Sequence, residues 1–328
     1  MSNKRIFALL LLILLFLFMA CTPKAEPVLI EEEKKIVVEE PKKEEVEPSA
    51  DFFTLLITRD YGRTILEERE VCAENKAVLN ILHEIFPGEI ETAYGGSYLC
   101  GIKDLKATRG YDWFFYVNGL FADVGALDYF PTVGEKIWWD YHQWRIQRSA
   151  NALIGCYPEP FLHGYQGKIK PTKIVYTPTQ KAKAFELLDS LKSLGVQEID
   201  SEIFAAEFTP HQGPRLVIGK WSDLENNNYL QQLNQGFQKN GFLHFTGASL
   251  HLYDYQGEKL KELSGDVGVI VAFAAKAADL APLWLISGLN EKGVEKACNL
   301  LINTPEKIKG WGGVVLFDDG LLSLPLLN

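Results

Sequence analysis

Aromatic side chains are the groups in this sequence best suited to bind a ligand, and they are concentrated between Tyr94 and Trp144. Flat rings at a protein surface bind through stacking and burial of area, which suits a planar ring system, a sugar or a protein partner. Buried Tyr and Trp side chains also need hydrogen-bond partners, so a domain of about 100 residues cannot place all these rings inside. We therefore expect an exposed aromatic surface. Packing against the second domain or the connector is the alternative.

Six residues of this stretch are predicted to contact a ligand: Tyr94, Tyr98, Asn118, Tyr129, Trp138 and His142. Trp113, Phe115 and Trp139 are predicted to lie in the core instead. His142 follows Asp140 in an aromatic strand, a position more typical of a hydrogen-bonded strand histidine than of a metal ligand. The sequence therefore predicts neither a metal site nor a catalytic residue.

Three strands must position these side chains. Residues 112–116 and 120–124 are short apolar runs separated by Asn118-Gly119, and this dipeptide tolerates the positive φ angles of a type I′ hairpin turn. From Ile137 onward a third strand carries aromatic rings on both of its faces. One face can pack on the core of the domain, and the other face needs a cover.

The landmarks of the same stretch occur in a recognisable order. Tyr94-Gly95-Gly96 is followed by DWFFYVNG at 112–119 and by GALDYFPTVGEKIWWDYHQW at 125–144. This pattern resembles the C-terminal domain of the transcobalamin, intrinsic factor and haptocorrin family and its bacterial surface-protein relatives, over about residues 51–148. In that family the domain closes over one face of a cobalamin held against a second domain. The resemblance implies an α+β fold and cobalamin as the leading ligand.

The N-terminus has the features of an export signal. Lys4 and Arg5 precede an apolar run at residues 6–19, which is too short to span a bilayer comfortably. Phe18-Met19-Ala20-Cys21 resembles a bacterial lipobox, in which Cys21 would be lipidated and become the mature N-terminus. A plain signal peptide or an uncleaved anchor are the alternatives. All three predict export, with a lipid anchor on the outer face of the cell membrane preferred.

Composition divides the rest of the chain. Residues 22–50 combine dense mixed charge with few large apolar side chains, so they are predicted to be a disordered spacer. Residues 51–148 are predicted to be the α+β domain, 149–170 a connector rich in Gly and Pro, and 171–328 a second domain.

The first domain is predicted to place one helix on a mostly antiparallel sheet. Residues 52–59 have the composition of a strand, and a turn follows at Asp60-Tyr61-Gly62. Residues 75–86 carry apolar side chains at helical spacing until Pro87-Gly88.

The second domain is predicted to be an α/β layer with a partly parallel sheet, because strands alternate with helices of sufficient length. Gly195 is expected to end one helix, and Ser222 is expected to cap another that runs to about Lys239. The predicted strands are 172–176, 215–219, 249–253, 267–273 and 283–287, and the remaining helices are 179–194 and 290–302.

Charge and motifs restrict the chemistry. A net charge of −10 argues against a nucleic-acid surface. The sequence contains no phosphate-binding glycine loop and no G-x-S-x-G elbow, and its six His are scattered. The acidic pair Asp318-Asp319 would be the basis of an enzyme with a site between the domains. Such a pair is more often a solvated turn, and we expect a protein that is not an enzyme and requires no cofactor.

Four cysteines beyond Cys21 allow three disulfide pairings, and the sequence does not choose among them. Cys72 and Cys100 lie among apolar residues and are predicted to be buried free thiols. Cys298 is predicted to be a core residue of a helix, and Cys156 lies in the connector.

The sequence thus predicts an exported, lipid-anchored surface protein that captures cobalamin or a related corrinoid for a separate transporter. The alternative is a surface module that recognises a polysaccharide or a protein. An enzyme is the least favoured of the three hypotheses.

Overall fold

The computed structural model describes residues 51–144, 150–205, 212–237 and 241–327. The predicted signal peptide, Cys21 and the predicted spacer lie outside these ranges. In the described part, strands are more abundant than helices, and the sheets mix parallel and antiparallel pairs. The first half contains, in chain order, β1 Phe52–Arg59, β2 Thr64–Cys72, α1 Val78–Ile85, β3 Ile90–Ala93, β4 Tyr98–Ile102, β5 Leu105–Lys106, β6 Tyr111–Val117, β7 Leu120–Phe121 and β8 Lys136–Gln143.

Five of these strands form one sheet in the order β2-β1-β8-β6-β7, and β3-β4-β5 form a small second sheet. Strand β1 pairs with β8 in parallel, and the other neighbours in the larger sheet are antiparallel. Helix α1 buries Val78, Leu79, Ile81 and Leu82. These elements confirm the predicted helix and the mostly antiparallel sheet. The helix begins at Val78, after the predicted start, since Asn75 has a φ of 55° and lies outside the helical region.

The hairpin at the centre of this sheet turns at Asn118-Gly119, as predicted. Their φ angles are 53° and 78°, the combination that a type I′ turn requires. Strand β7 is shorter than expected and ends at Phe121. The hairpin therefore pairs β7 with only the last two residues of β6, Tyr116 and Val117.

The sheet buries aromatic rings on both faces. Trp113, Phe115 and Trp139 pack into the larger core, as predicted. On the opposite face, Trp138 and Tyr116 pack in a separate cluster against Tyr61, Ala150, Leu153, Cys156 and Phe242. Residues that follow the sheet in sequence thus cover its second face, as the alternative interpretation of the aromatic stretch expected.

The second half contains the remaining elements. They are β9 Thr172–Tyr176, α2 Lys181–Ser193, β10 Ile199–Ile203, β11 Arg215–Lys220, α3 Trp221–Leu224, α4 Asn228–Gln235, β12 Leu243–Thr246, β13 Ser249–Tyr253, β14 Lys259–Leu263, β15 Gly268–Phe273, β16 Leu283–Gly288, α5 Glu291–Asn303, β17 Gly313–Phe317 and β18 Gly320–Leu324.

A seven-stranded sheet has the order β10-β9-β11-β16-β15-β17-β18. The first four strands are mutually parallel, whereas β15, β17 and β18 join antiparallel, which confirms a partly parallel sheet. Strands β12, β13 and β14 form a separate antiparallel sheet. The sequence prediction missed five strands of the second half, namely β10, β12, β14, β17 and β18. In β14, residues Lys259–Leu263 are almost entirely exposed and lack an apolar alternation.

Helix ends agree with the prediction at two places and differ at a third. Gly195 follows α2 with a φ of 105°, and the side chain of Asn290 accepts a hydrogen bond from Gly293 N at the start of α5. Ser222 was expected to be a cap but lies inside α3. Asn227 is the cap of α4 instead, because its side chain accepts from the backbone N–H groups of Tyr229 and Leu230.

Described residues from 51 onward belong to one compact unit. The larger core contains side chains from both large sheets, among them Phe53 and Ile270. Trp284 of β16 contacts Tyr157 and Phe161, with ring centroids 5.9 and 5.1 Å apart. The boundaries of the two predicted domains stay a prediction.

The turn between β1 and β2 contacts the C-terminal part of the chain. A Cβ atom on Gly62 would lie 1.5 Å from the carbonyl oxygen of Gly310. Beside it, the Arg63 guanidinium donates to the carbonyl oxygens of Ser323 and Pro325. Two backbones therefore approach at Gly62 more closely than any other residue type allows.

The connector is held by a histidine–glutamate pair. His163 Nδ1 lies 2.5 Å from Glu159 Oε1, and His163 N donates to the other carboxylate oxygen at 2.9 Å. The hydrogen bond to Glu159 raises the pKa of His163 above its usual value, against the opposing effect of burial. The protonated form of His163 therefore stabilises the fold.

The first prediction concerns Gly62. Replacement of Gly62 by Ala forces two backbone segments apart and adds the cost of a positive φ, so we expect a loss of more than about 4 kcal/mol in the free energy of unfolding. Gly88→Ala is the matched control, because Gly88 has nearly the same φ but no atom within 4 Å of the new Cβ. It should cost about 1–2 kcal/mol by denaturant unfolding. Equal losses in both variants would contradict the close approach.

The second prediction concerns pH. Because the folded-state pKa of His163 is raised, its stabilisation is complete below the unfolded value of about 6.5 and disappears as the pH rises through the folded value. His163→Gln should therefore destabilise the protein more at about pH 6 than at about pH 9. An NMR titration of the ring should show a lower pKa in Glu159→Gln. A pH-independent effect of His163→Gln would refute the assignment.

Candidate ligand-binding site

The structure separates the six predicted contact residues into two groups. Tyr94 and Tyr98 are 85% and 41% exposed. Asn118, Tyr129, Trp138 and His142 are buried. The expectation that these four contribute to an exposed aromatic face is wrong, because the sheet has a packed cluster on each of its faces. The two exposed tyrosines stay candidates for ligand contact.

Two of the buried residues have clear structural roles. Asn118 donates to the carbonyl oxygen of Gly164 at 2.8 Å and accepts from Lys136 N at 2.7 Å, which fixes the hairpin to β8 and to the connector. The Tyr129 hydroxyl donates to Glu135 at 2.8 Å. Burial, followed by the charge of Glu135, raises the pKa of Tyr129.

Tyr94 and Tyr98 lie together at the rim formed between β3 and β4. Tyr94, Gly95 and Gly96 all have positive φ angles, which bends the chain sharply between the two strands. The two tyrosine rings meet edge to face with centroids 6.0 Å apart. The Tyr98 hydroxyl donates to Asp112 Oδ2 at 2.5 Å, and burial, followed by this bond, raises the pKa of Tyr98.

A cleft of about 210 Å³ opens beside this rim. Its walls come from β4, from β6 and from the loop after β7. Among the described residues, β6 has no strand partner on this side from Asp112 to Phe114, since β7 pairs with its last two residues only, Phe115 O accepts from Ala122 N, and Tyr111 forms an isolated bridge with Thr108. The cleft can take an apolar group or the edge of a flat ring. Its principal side chains are Tyr98, Trp113, Phe114, Phe121, Val124 and Trp139.

Behind the cleft lies a buried network centred on Asp140. Its carboxylate accepts hydrogen bonds from the hydroxyl of Thr58 and from the backbone N–H groups of Tyr61 and Gly62, the latter two at 2.9 and 3.2 Å. His142 Nδ1 lies 2.7 Å from its Oδ2 atom. Asp140 itself is inaccessible to solvent. This carboxylate fixes the turn after β1 to the centre of the sheet.

His142 is held between two aromatic rings. The Tyr61 ring stacks on one side at 4.1 Å and the Phe114 ring on the other at 4.2 Å. Its Nε2 atom is buried and has no hydrogen-bond partner among the described residues. Since Phe114 also lines the cleft, the network and the cleft share one side chain. The sequence prediction did not include Phe114, Phe121 or Asp140 among the site residues. The alternation of aromatic residues along β6 was a signal that could have indicated Phe114.

The cysteines differ in part from the prediction. All four described cysteines are free. The expectation that Cys72 and Cys100 are buried is wrong: Cys72 is exposed at the end of the edge strand β2, and Cys100 is partly exposed on β4 of the small sheet. Cys298 is buried as predicted, and Cys156 is buried too. Burial raises the pKa of both of these thiols to about 12.

Within residues 51–144, 150–205, 212–237 and 241–327, no three His, Cys, Asp or Glu side chains are placed so that they could hold a metal ion together. No helix within the same ranges is long and apolar enough to cross a membrane. Export and lipid anchoring stay predictions from the sequence.

Comparison with known proteins gives one result for this region. Residues 75–143 match a domain of unknown function, DUF4430. This domain is related to transcobalamin-like domains, which agrees in part with the resemblance found in the sequence. The matched segment contains the rim, the cleft, Asp140 and His142, whereas β1 and β2 lie before it. No curated protein matches the chain.

The third prediction concerns Asp140. In Asp140→Asn one oxygen acceptor becomes an N–H donor that faces the hydroxyl and N–H groups of the network, so the free energy of unfolding should fall by about 3 kcal/mol or more. Asp104→Asn is the control, because Asp104 is exposed in the turn between β4 and β5. Chemical denaturation measures both variants. A loss in Asp140→Asn no larger than in Asp104→Asn would show that the network does not hold the turn.

Proposed function

We propose that this chain is an exported, lipid-anchored binding protein that captures cobalamin or a related corrinoid. The observation that carries the proposal is the exposed pair Tyr94 and Tyr98 beside an apolar, aromatic cleft. Rings that are already ordered lose little conformational freedom when a flat ligand stacks on them. The relation of the matched domain to transcobalamin-like domains supports a corrinoid as the first ligand to test.

The size of the cleft restricts how such a ligand would bind. Pockets that enclose a drug-sized molecule have volumes of about 300–1,000 Å³, and this cleft has about 210 Å³. A corrinoid would therefore place an edge or a side group in the cleft and lay part of its ring on Tyr94. In this arrangement the rim is one wall of the site, and a second surface supplies the rest.

The N-terminal sequence supports the cellular setting of the proposal. The apolar run before Cys21 predicts export, and the charged residues 22–50 predict a spacer that would hold the folded part away from the membrane. A protein tethered in this way would take up its ligand outside the cell. It would then pass the ligand to a separate transporter.

A surface module for a polysaccharide or a protein is the second candidate. It is favoured by the high exposure of Tyr94, because a ring at the tip of a turn can contact a flat partner surface without a deep pocket. An enzyme has weaker support. Asp318 and Asp319 are exposed in the turn between β17 and β18, which is the solvated position expected for such a pair.

The fourth prediction is a binding test with residues 50–328. Mixed with cobalamin and passed through a sizing column, this protein should carry the visible absorbance of the corrin. Tyr94→Ala and Tyr98→Ala should each weaken binding by about 5–30-fold through the loss of stacking area. Tyr98→Phe keeps the ring and loses the bond to Asp112, so binding close to wild type would assign the effect to stacking.

Phe185→Ala is the matched control, because Phe185 is an exposed aromatic residue on α2. Its affinity for cobalamin should equal that of the wild type. If the corrin absorbance elutes apart from the protein at every concentration, the corrinoid proposal is wrong. A glycan array and a cell-wall pull-down then test the second candidate with the same variants.

A further inference from the structure

Two histidines and a glutamate form one row across the three-stranded sheet β12-β13-β14. His244 of β12 pairs directly with His251 of β13, and His251 pairs with Glu262 of β14. The Cβ atoms of such cross-strand partners lie about 4.5–5.5 Å apart and project to the same face. Leu243, Leu250 and Leu263 occupy buried positions on these strands, so the row lies on the face opposite to the core.

The three side chains are close to one another. His251 Nε2 lies 3.2 Å from Glu262 Oε2, and the rings of His244 and His251 are 6.5 Å apart between centroids. The His251 side chain is partly exposed and that of Glu262 is about half exposed, so an ion from solvent can reach both. The Thr246 hydroxyl is a further oxygen nearby, 3.4 Å from His251 Nε2.

The donor set has a definite chemical preference. Imidazole nitrogen together with one carboxylate suits zinc and similar divalent transition ions, whereas calcium and magnesium prefer sites built from oxygen alone. Metal binding requires neutral imidazole.

We propose that His244, His251 and Glu262 form a binding site for a divalent transition metal of the zinc class, with two imidazole nitrogens and one carboxylate as protein ligands. In the structure the three groups do not yet converge, because the His244 ring lies on the Phe237 ring at 4.8 Å. Rotation of the His244 side chain away from Phe237 completes the set. A fourth position then faces solvent, as in zinc sites that keep an exchangeable ligand.

The ion pair between Lys259 and Glu262 must break before the carboxylate can bind a metal ion. Lys259 Nζ lies 3.1 Å from Glu262 Oε2. Both side chains of this pair are about half exposed, so the pair contributes little and its ammonium can move into solvent. Removal of Lys259 should therefore strengthen metal binding.

The test is zinc binding by the purified full-length chain, measured by equilibrium dialysis and calorimetry. A Cys72→Ser background is used, since Cys72 is exposed and free thiols bind zinc in general. We expect one zinc ion per chain, no competition by magnesium, and shifted NMR signals from the rings of His244 and His251. His251→Ala and His244→Ala should each weaken binding at least about tenfold, and Glu262→Gln should weaken it by a smaller factor. Lys259→Met should tighten it.

His83→Ala is the matched control, because His83 is an exposed histidine on α1 and takes no part in the row. Its zinc affinity should equal that of the background protein. Circular dichroism of each variant shows whether the fold is kept. Zinc binding that is absent, or that is unchanged in both His251→Ala and His244→Ala, would overturn the proposal. If zinc binding is lost in His251→Ala but kept in His244→Ala, the three-ligand proposal is wrong and His251 and Glu262 alone hold the ion.

Discussion

The carboxylate of Asp140 fixes the arrangement on which the rest of the first sheet depends. It has no contact with solvent and accepts from Thr58 of β1, from the backbone of Tyr61 and Gly62, and from His142. A buried carboxylate is costly unless several donors surround it, so the turn after β1 must keep its place to supply them. The position of this β1–β2 turn also determines the close contact between Gly62 and Gly310.

A sheet with large rings on both faces needs a cover on each face. Helix α1 and the larger core cover one face, and the cluster of Tyr61, Leu153, Cys156 and Phe242 covers the other. This second cover explains why Trp138 and His142 are buried and cannot present an aromatic surface to a ligand. The exposed rings of Tyr94 and Tyr98 lie at the rim, where the backbone bends at Tyr94 and part of the edge of β6 lacks a strand partner in the described part of the chain.

The two candidate sites differ in how they are built. The cleft beside Tyr98 arises where strand pairing stops, and its walls are apolar, so it favours flat or apolar groups. The row of His244, His251 and Glu262 arises from regular pairing on a separate sheet, and its groups are polar and reach solvent. Binding at one site does not require the other, because the two sites share no residue.

The sequence by itself determined local structure: the turn at Asn118-Gly119, strands β1, β9 and β13, and the end of α2 at Gly195 all follow from φ preference and apolar periodicity. It also located the aromatic stretch and the partly parallel sheet. Tertiary structure decided which rings are exposed, because burial of Trp138 depends on residues far away in the chain such as Phe242. The register of three paired strands brought His244, His251 and Glu262 together. Spacing along the chain does not reveal this neighbourhood, because strand pairing determines which residues are neighbours in a sheet.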